Sequence, residues 1–549
     1  MQDYTWFKSY DPGVPHTLQP YPDITVLDVL ADSVRQKPEH PLAIFQEREV
    51  SLREVEEHSN AIARALIANG VKKGDRVISL FLNCPQSFIA FFGIWKAGGI
   101  VVPLNPYYTP FELEHSINDA EADVAIVGST YYETIKSFQP HTRLRLVIAS
   151  DLDTYTKSPS KKEGDSVRLE KGDIWWSDLT DKFGDSPPPD VKVDKADIAL
   201  LLFSGGTTGT PKGVMCSHHS IIITAMFHRA WYKSVIVEWQ DRVLVQLPLF
   251  HSFGVYVAFG VSLLVHAPQV LIQNPRDIKN IVDSIRDYKI TSASVTPTTL
   301  IAILNYQGLK PGDLTSLTRV GSGAAPLMAE TKHNFERIIS GPVVEGYGLT
   351  ESGIVGANFA VKGKWKQGSV GLPPIDVVVR IMDIETGTKN LKPGEEGEIT
   401  IKAPQLMQGY WNRPEETAET LRNGWLYTGD IGYLDEDGYL FITSRKKDLI
   451  KCGGFQVWPR EVEEILMMHP AIAEVCVAGI SDPRQVEAVK AWAVLKEGQM
   501  ATPEELHKFC REKLTGYKVP RFFEFRTELP KTLVGKVLRR VLQDEEKAK

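Results

Sequence analysis

One stretch constrains this chain more than any other: Ser204-Gly205-Gly206-Thr207-Thr208-Gly209-Thr210-Pro211-Lys212-Gly213. It follows the apolar run Ile198 to Phe203, whose length predicts a buried strand. The chain therefore leaves a sheet through a loop with little side-chain bulk. Three glycines between Ser204 and Lys212 let the backbone bend tightly and bring its N–H groups close to a ligand. Three threonine hydroxyls add donors, and Lys212 adds a positive charge. That set suits a polyphosphate. It is not a Walker A loop: Pro211 stands where the glycine before the lysine belongs, and Gly213 where Ser or Thr should follow. Alone, the stretch reads equally well as a Gly/Thr-rich turn between a strand and a helix, so the rest of the chain has to decide.

With 549 residues the chain is too long for one core. From residue 1 to about 150, helical and strand patterns alternate, with a helix over Ala61–Ala68 stopped by Asn69-Gly70 and strands over Arg76–Leu82 and Asp123–Val127. Alternation of this kind predicts βαβ units and parallel sheets. The apolar stretch Ser87–Leu104 is broken by Lys96, Gly98 and Gly99. It predicts a core helix, a turn and a strand over Ile100–Val102, and not a membrane span. Residues 151–194 turn polar, as a surface excursion or linker does. Strands are then expected over Leu244–Leu247 and Ala293–Val295, and a helix over Asn274–Tyr288.

From about 371 to 443 the texture changes to short β segments: Asp376–Met382, Gly397–Lys402 and Tyr439–Thr443 after an Asp-Glu-Asp-Gly turn. The last hundred or so residues mix helix and strand, a length that suits a small separate domain. The expected fold class is α/β. A large N-terminal domain, 1–444, would hold two α/β subdomains plus a small β subdomain at about 371–443. A small α+β C-terminal domain would occupy 445–549.

Charge and cysteines bound the partners. The net charge of −7 lacks the basic excess of a nucleic-acid-binding protein. Five dispersed cysteines without a CxxC offer neither a disulfide framework nor a zinc cluster. Met1–Lys8 has no basic stretch followed by an apolar run, which predicts no cleaved leader and a cytoplasmic protein.

Five further constellations carry chemistry. Phe250-His251-Ser252-Phe253-Gly254 follows an apolar strand pattern and suits a loop at a strand's C-terminal end, where open α/β sheets place ligands. A lone histidine is more often a satisfied core residue. In Gly346-Tyr347-Gly348-Leu349-Thr350-Glu351, the glycines admit a ligand, Tyr347 can stack on a purine and Glu351 can hold a hard cation. A helix cap explains Thr350-Glu351 nearly as well. Asp430, in Tyr427-Thr428-Gly429-Asp430, can bind two ribose hydroxyls. Arg445-Lys446-Lys447-Asp448 through Lys451-Cys452-Gly453-Gly454 is a basic run that also reads as a solvated linker. Last, Gly535-Lys536 sits near the C-terminus.

In this order and spacing, together with Gly321–Leu327, Lys96–Gly99 and Gly424-Trp425-Leu426, the chain resembles the adenylate-forming superfamily of acyl-CoA synthetases, peptide-synthetase adenylation domains and beetle luciferases. Met407-Gln408-Gly409-Tyr410-Trp411 with Pro414 and Thr417, and the run from Gly424 to Gly454, look most like fatty-acyl-CoA ligases. The resemblance implies ATP, Mg²⁺ and coenzyme A as cofactor and co-substrates. It implies that a medium- or long-chain fatty acid is activated through an acyl-adenylate to its CoA thioester. Ser204, Gly205, Gly206, Thr207, Thr208, Gly209, Thr210 and Lys212 would grip the phosphates. Glu351, with a hydroxyl of that loop, would hold Mg²⁺, and Thr207 would also serve catalysis. Gly323, Ala324, Ala325, Gly346, Tyr347, Gly348 and Thr350 would frame the adenosine, and Asp430 and Arg445 the ribose. Lys536 would bridge carboxylate and phosphate, with His251 near the reacting carboxylate.

The resemblance also implies a mobile C-terminal domain that turns about Lys447 and brings Lys451, Gly453 and Gly454 to the thiol. Phe253, Val255 and Phe259 are expected on the acyl pocket, although Val255–Val261 reads equally as a core helix. Some long-chain bacterial ligases carry a tryptophan four residues after this histidine. Here Val255 stands there, which leaves acyl length open. The competing readings are a 4-coumarate-type aryl-CoA ligase, a stand-alone adenylating enzyme and a catalytically inactive acyl- or nucleotide-binding relative. Glu351, Asp430, Arg445 and Lys536 together argue against the last. No integral membrane segment is expected. Transient membrane contact and a monomer or homodimer fit the same reading.

Overall fold

The computed structural model describes residues 4–158, 167–184, 186–204, 211–358, 364–452, 455–482, 486–532 and 535–548. Two eight-stranded sheets form the larger part. In one, Arg76–Leu80, Ile100–Pro103, Val124–Gly128, Leu146–Ser150 and Ile198–Ser204 run parallel. Nearly every residue of these strands is buried, as a sheet covered on both faces requires. The strand Lys212–Ser217 then returns antiparallel to Ile198–Ser204, with Ser204 opposite Lys212. The glycine-rich loop therefore closes a hairpin, and the strand-to-helix reading of it is corrected.

The second sheet carries Val243–Val245, Gln269–Leu271, Ser292–Val295, Arg319–Ser322 and Val343–Leu349 in parallel. One edge is the antiparallel strand Gly353–Ala357. The other is the early hairpin Pro41–Phe45 and Arg48–Ser51, which crosses over from the start of the chain. Beside the first sheet packs the helix Pro85–Lys96, buried at every position. Its Phe92 ring lies 5.7 Å from Phe259, and the Trp95 indole donates to the Ala199 carbonyl at 2.7 Å. Its one charge is also inside: Lys96 Nζ reaches Glu56 (2.8 Å), Ser59 (2.8 Å) and Asn60 (2.7 Å). Those partners make burial of the ammonium tolerable. The apolar stretch is thus a core helix and a strand, and no helix among the described residues is long and apolar enough to cross a membrane.

Boundaries shift where a cap decides them. The helix expected at Ala61 begins at Leu52, because the Ser51 hydroxyl accepts the Glu54 N–H at 3.1 Å. The helix expected from Asn274 begins at Ile278, capped by Asp277.

Val378–Met382, Gly397–Lys402, Trp425–Leu434 and Leu440–Arg445 make a wholly antiparallel third sheet. A fourth contains only strands from Ile450–Cys452 to Phe522–Arg526. The chain is thus α/β, with a small all-β sheet and a separate C-terminal domain around the fourth sheet.

The turn that carries His251 is sterically closed. His251 N–H bonds the Pro248 carbonyl at 3.0 Å, and a Cβ on Gly254 would lie 2.1 Å from that same oxygen. Gly254→Ala must displace the turn, and it is expected to cost about 1–3 kcal/mol, as overpacking does. A thermal midpoint equal to that of the parent chain would refute this.

Candidate active site

The hairpin Ile198–Ser204/Lys212–Ser217 gains a third strand, Gly409–Tyr410, with Tyr410 opposite Val214. Trp411 N donates to the Gly213 carbonyl (2.8 Å) and Gln408 N to that of Met215 (2.9 Å). This strand places Tyr410 between two of the expected site residues. Its ring lies 5.3 Å from Lys212 Nζ, and its hydroxyl donates to Glu351 Oε1 at 2.9 Å. Lys212 itself is ion-paired with Glu416. Gly205, Gly206, Thr207, Thr208, Gly209 and Thr210 lie outside the described residues, and Ser204 is described in its backbone alone.

Glu351 lies in the turn between the strands Val343–Leu349 and Gly353–Ala357. No helix begins there, so the cap reading of Thr350-Glu351 is corrected. The Thr350 hydroxyl is 3.4 Å from that of Ser252. Among the described residues Glu351 has no ion-pair partner, and its one hydrogen-bond donor is on Oε1. A single carboxylate with its second oxygen available fits Mg²⁺, which is held mostly by phosphates and water with one or two carboxylates.

Asp430, the residue expected at the ribose, is a hub of contacts. It lies in the long strand Trp425–Leu434, just after Gly429 at φ +69°. Although only 3% exposed, it is engaged on both oxygens: Tyr347 Oη donates to Oδ2 at 2.7 Å, and Arg445 Nε forms an ion pair with Oδ1 at 2.9 Å. Burial and the neighbouring carboxylate hold the Tyr347 phenol well above its usual range, so it stays a donor. The edge of the same cleft is made by Gly323, Ala324, Gly346 and Gly348, with half-buried Ala325 next in sequence. A Cβ on Gly323 would lie 3.1 Å from the Phe253 ring.

Lys536 arrives from the C-terminal domain. Its N–H bonds Thr532 Oγ1 at 3.1 Å, and a Cβ on Gly535, at φ +77°, would lie 2.5 Å from Thr298 Oγ1 of the large body. Burial first, then the Arg445 and Lys447 charges, lower the Lys536 ammonium to about 8, against the opposing pull of Asp430. Lys536 in turn helps burial lower His251 to about 4. His251 is therefore neutral at pH 7. Its Nδ1 accepts the Phe253 N–H at 3.2 Å, which leaves the proton on Nε2.

Lys447 is exposed in the single turn Lys446–Asp448, between the strands Leu440–Arg445 and Ile450–Cys452. Lys451 is exposed on the C-terminal sheet, where its N–H bonds Glu487 at 2.7 Å, and it does not line the cleft. Gly453 and Gly454 lie outside the described residues.

The apolar wall differs from expectation. Phe253, Tyr256 and Val257 line the cleft with Leu349 and Ile354, whereas Val255 and Phe259 do not. The segment Gly254–Val261 is wound as a π-helix, bonded i→i+5, so residues about four apart share a face. Phe253, Tyr256 and Val257 fall on one face and Val255 and Phe259 on the other, where Phe259 meets the rings of Phe91 and Phe92. Helical spacing from Phe253 could have found Tyr256 and Val257. Tyr410 stands in the run Met407–Trp411 that the sequence singles out, but nothing local pointed to its contacts, whose partners are distant in sequence.

Comparison with known proteins places this geometry. Residues 30–411 match the AMP-binding enzyme family, and residues 461–536 match the AMP-binding enzyme C-terminal domain. The chain is 39% identical over 554 residues to a long-chain-fatty-acid–CoA ligase of Bacillus subtilis, covering 98% of both proteins. It is 34% identical over 568 residues to a ligase of the same name from Escherichia coli, covering 99% of this chain and 98% of that one. Among solved structures, ATP-bound MatB from Rhodopseudomonas palustris superposes with a TM-score of 0.83 at 27% identity, over 95% of this chain and 99% of that one. The anthranilate CoA ligase AuaEII in complex with anthranoyl-AMP superposes with a TM-score of 0.83 at 28% identity, over 96% and 98%.

The environment of Lys536 has a direct consequence. Its rate of reductive methylation, followed by peptide mass spectrometry, should reach half its maximum near pH 8, whereas exposed lysines do so near about 10.4. A midpoint above 10 would mean that Lys536 does not share a cleft with Arg445 and Lys447.

Proposed function

The chain belongs to the AMP-binding enzyme family, and from that premise we propose that it is an ATP-dependent fatty-acid–CoA ligase. A long-chain fatty acid is the favoured substrate, and the cytoplasm its place of action. In the first half-reaction the fatty carboxylate attacks the α-phosphorus of ATP, and pyrophosphate leaves. In the second, the thiol of coenzyme A attacks the acyl-adenylate carbonyl, and AMP leaves. The observation that carries the reading is an apolar-walled cleft lined by His251 and Tyr347, with Tyr347 bonded to Asp430, Asp430 paired with Arg445, and the Lys536 charge near enough to act on His251.

Each residue then has a task. Asp430 receives the ribose hydroxyls with a carboxylate already fixed by Tyr347 and Arg445. Tyr347 and the glycines around it frame the adenine. Lys536, still largely cationic at pH 7, bridges the carboxylate and the α-phosphate, so both reactants meet a preplaced charge. Neutral His251 offers an Nε2–H to a carboxylate oxygen without adding a second cation. Ser204 to Lys212 hold the phosphates. Mg²⁺, held by Glu351 with Thr207, would withdraw charge from the departing pyrophosphate. The alkyl chain runs along Tyr256, Val257, Leu349 and Ile354.

For the second half-reaction, residues 445–549 turn against 1–444 about Lys447. Lys536 leaves, and Lys451, Gly453 and Gly454 take its place beside the thiol, a hinge motion that completes a different site.

The test separates the half-reactions. Pyrophosphate release with ATP, Mg²⁺ and CoA should peak among fatty acids between octanoate and palmitate, and should need CoA for turnover. Activity confined to cinnamate or benzoate would overturn the fatty-acid reading. Lys536→Ala should slow ATP–pyrophosphate exchange by roughly 10²- to 10³-fold, the usual cost of one preplaced charge. It should leave thioester formation from preformed acyl-adenylate nearly intact. In the parent chain, kcat/KM for ATP should fall as pH rises through about 8, because the cationic form of Lys536 is lost there.

A further inference from the structure

Tyr410 stands at a crossing that the catalytic reading does not use. Its hydroxyl donates to Glu351 Oε1 at 2.9 Å, and its ring lies 5.3 Å from Lys212 Nζ. Its backbone is locked from two sides. It pairs with Val214 across the sheet, and its N–H bonds Thr417 Oγ1 at 2.9 Å. Gly409 precedes it at φ +146°, where a Cβ would fall 2.8 Å from the Thr417 methyl. The ring is 9% exposed. The backbone of Glu351 is tied to the same segment, because its carbonyl accepts the Met407 N–H at 2.8 Å. The helix that supplies Thr417 also supplies Glu416, the counter-ion of Lys212.

We propose that Tyr410 is a positioning residue for nucleotide binding. Its hydroxyl fixes Glu351 in the rotamer that leaves Oε2 toward the metal, and its ring holds Lys212 over the phosphate site, where Glu416 occupies the ammonium until ATP displaces it. The two contacts are chemically separable. A hydrogen bond to a charged group orients the carboxylate, and the ring face attracts the ammonium. The exposed Lys212–Glu416 pair is weak enough to exchange for a polyphosphate. The proposal rests on the reading of Glu351 as the Mg²⁺ carboxylate.

The experiment is equilibrium ATP binding by calorimetry without fatty acid, so that nothing turns over, once with Mg²⁺ and once with EDTA. Tyr410→Phe keeps the ring and removes the hydroxyl. It should weaken Mg-ATP binding about tenfold, in keeping with a lost hydrogen bond to a charge, and change metal-free ATP binding less than about twofold. Tyr410→Leu removes the ring as well and should weaken metal-free ATP binding a further two- to fivefold, roughly the size of a cation–π contact. Glu416→Gln should tighten both forms by about two- to fivefold. Thermal midpoints confirm that each variant is folded.

Equal losses with and without Mg²⁺ in Tyr410→Phe, or no loss, would overturn the proposal. Glu351→Gln is the control that separates the two readings. If it abolishes the Mg²⁺ preference while Tyr410→Phe leaves it intact, the Tyr410 role alone fails. If Glu351→Gln preserves the preference, the metal assignment fails, and the Tyr410 proposal with it.

Discussion

The buried carboxylate of Asp430 holds the rest of the cleft in relation. It stands on the small antiparallel sheet, and its two oxygens are taken by a phenol from the second eight-stranded sheet and a guanidinium from the exit toward the C-terminal domain. A carboxyl group 3% exposed is tolerable only with such partners. Removing the Arg445 partner breaks the ion pair at a cost of about 3–5 kcal/mol, and removing the Tyr347 hydroxyl costs about 1–3 kcal/mol. The pairing also ties two sheets together: the strand with Tyr347, and the small antiparallel sheet on which Asp430 and Arg445 face each other across neighbouring strands.

The electrostatics of the cleft follow from that arrangement. Burial first, then the Arg445 and Lys447 charges, make Lys536 release its proton more easily, while Asp430 and Asp448 oppose them. A polyphosphate bound beside Lys536 would draw the lysine back toward its cationic form. His251 shows the other side of this balance. A second full cation beside Lys536 would be costly, and burial with repulsion keeps the ring neutral.

What was legible in the sequence divides along a physical line. Period and composition reveal buried strands such as Ile198–Ser204 and the core helix Pro85–Lys96, because local burial leaves a local pattern. The ordered motifs pointed to Glu351, Asp430, Arg445 and Lys536, since each needs a particular residue beside a particular turn. Pairing between distant segments leaves no such trace. Nothing in Pro41–Phe45 shows that it completes a sheet with Gln269–Leu271. Nothing in Gly409–Tyr410 shows that it lies against Lys212–Ser217. The apolar run after His251 reads equally as pocket wall and as core helix, and the winding divides it into a cleft face and a core face, with Phe259 in the aromatic core.

The C-terminal domain completes the physical argument. Its main core, from Ile450 through Val462, Ile472 and Val489 to Val519, is drawn wholly from its own residues, and its sheet shares no strand with the others. Turning it against the large body would therefore expose no core. Such a turn disturbs surface contacts such as that of Gly535 with Thr298. The contact is close because glycine at φ +77° has no Cβ to hold it off, and Lys536 is the next residue along. On the proposed reading, a lysine carried this way serves the adenylating step while the loop is seated and is withdrawn for the attack of a thiol once it lifts. Fixing Lys536 on the large body would then forgo that second step.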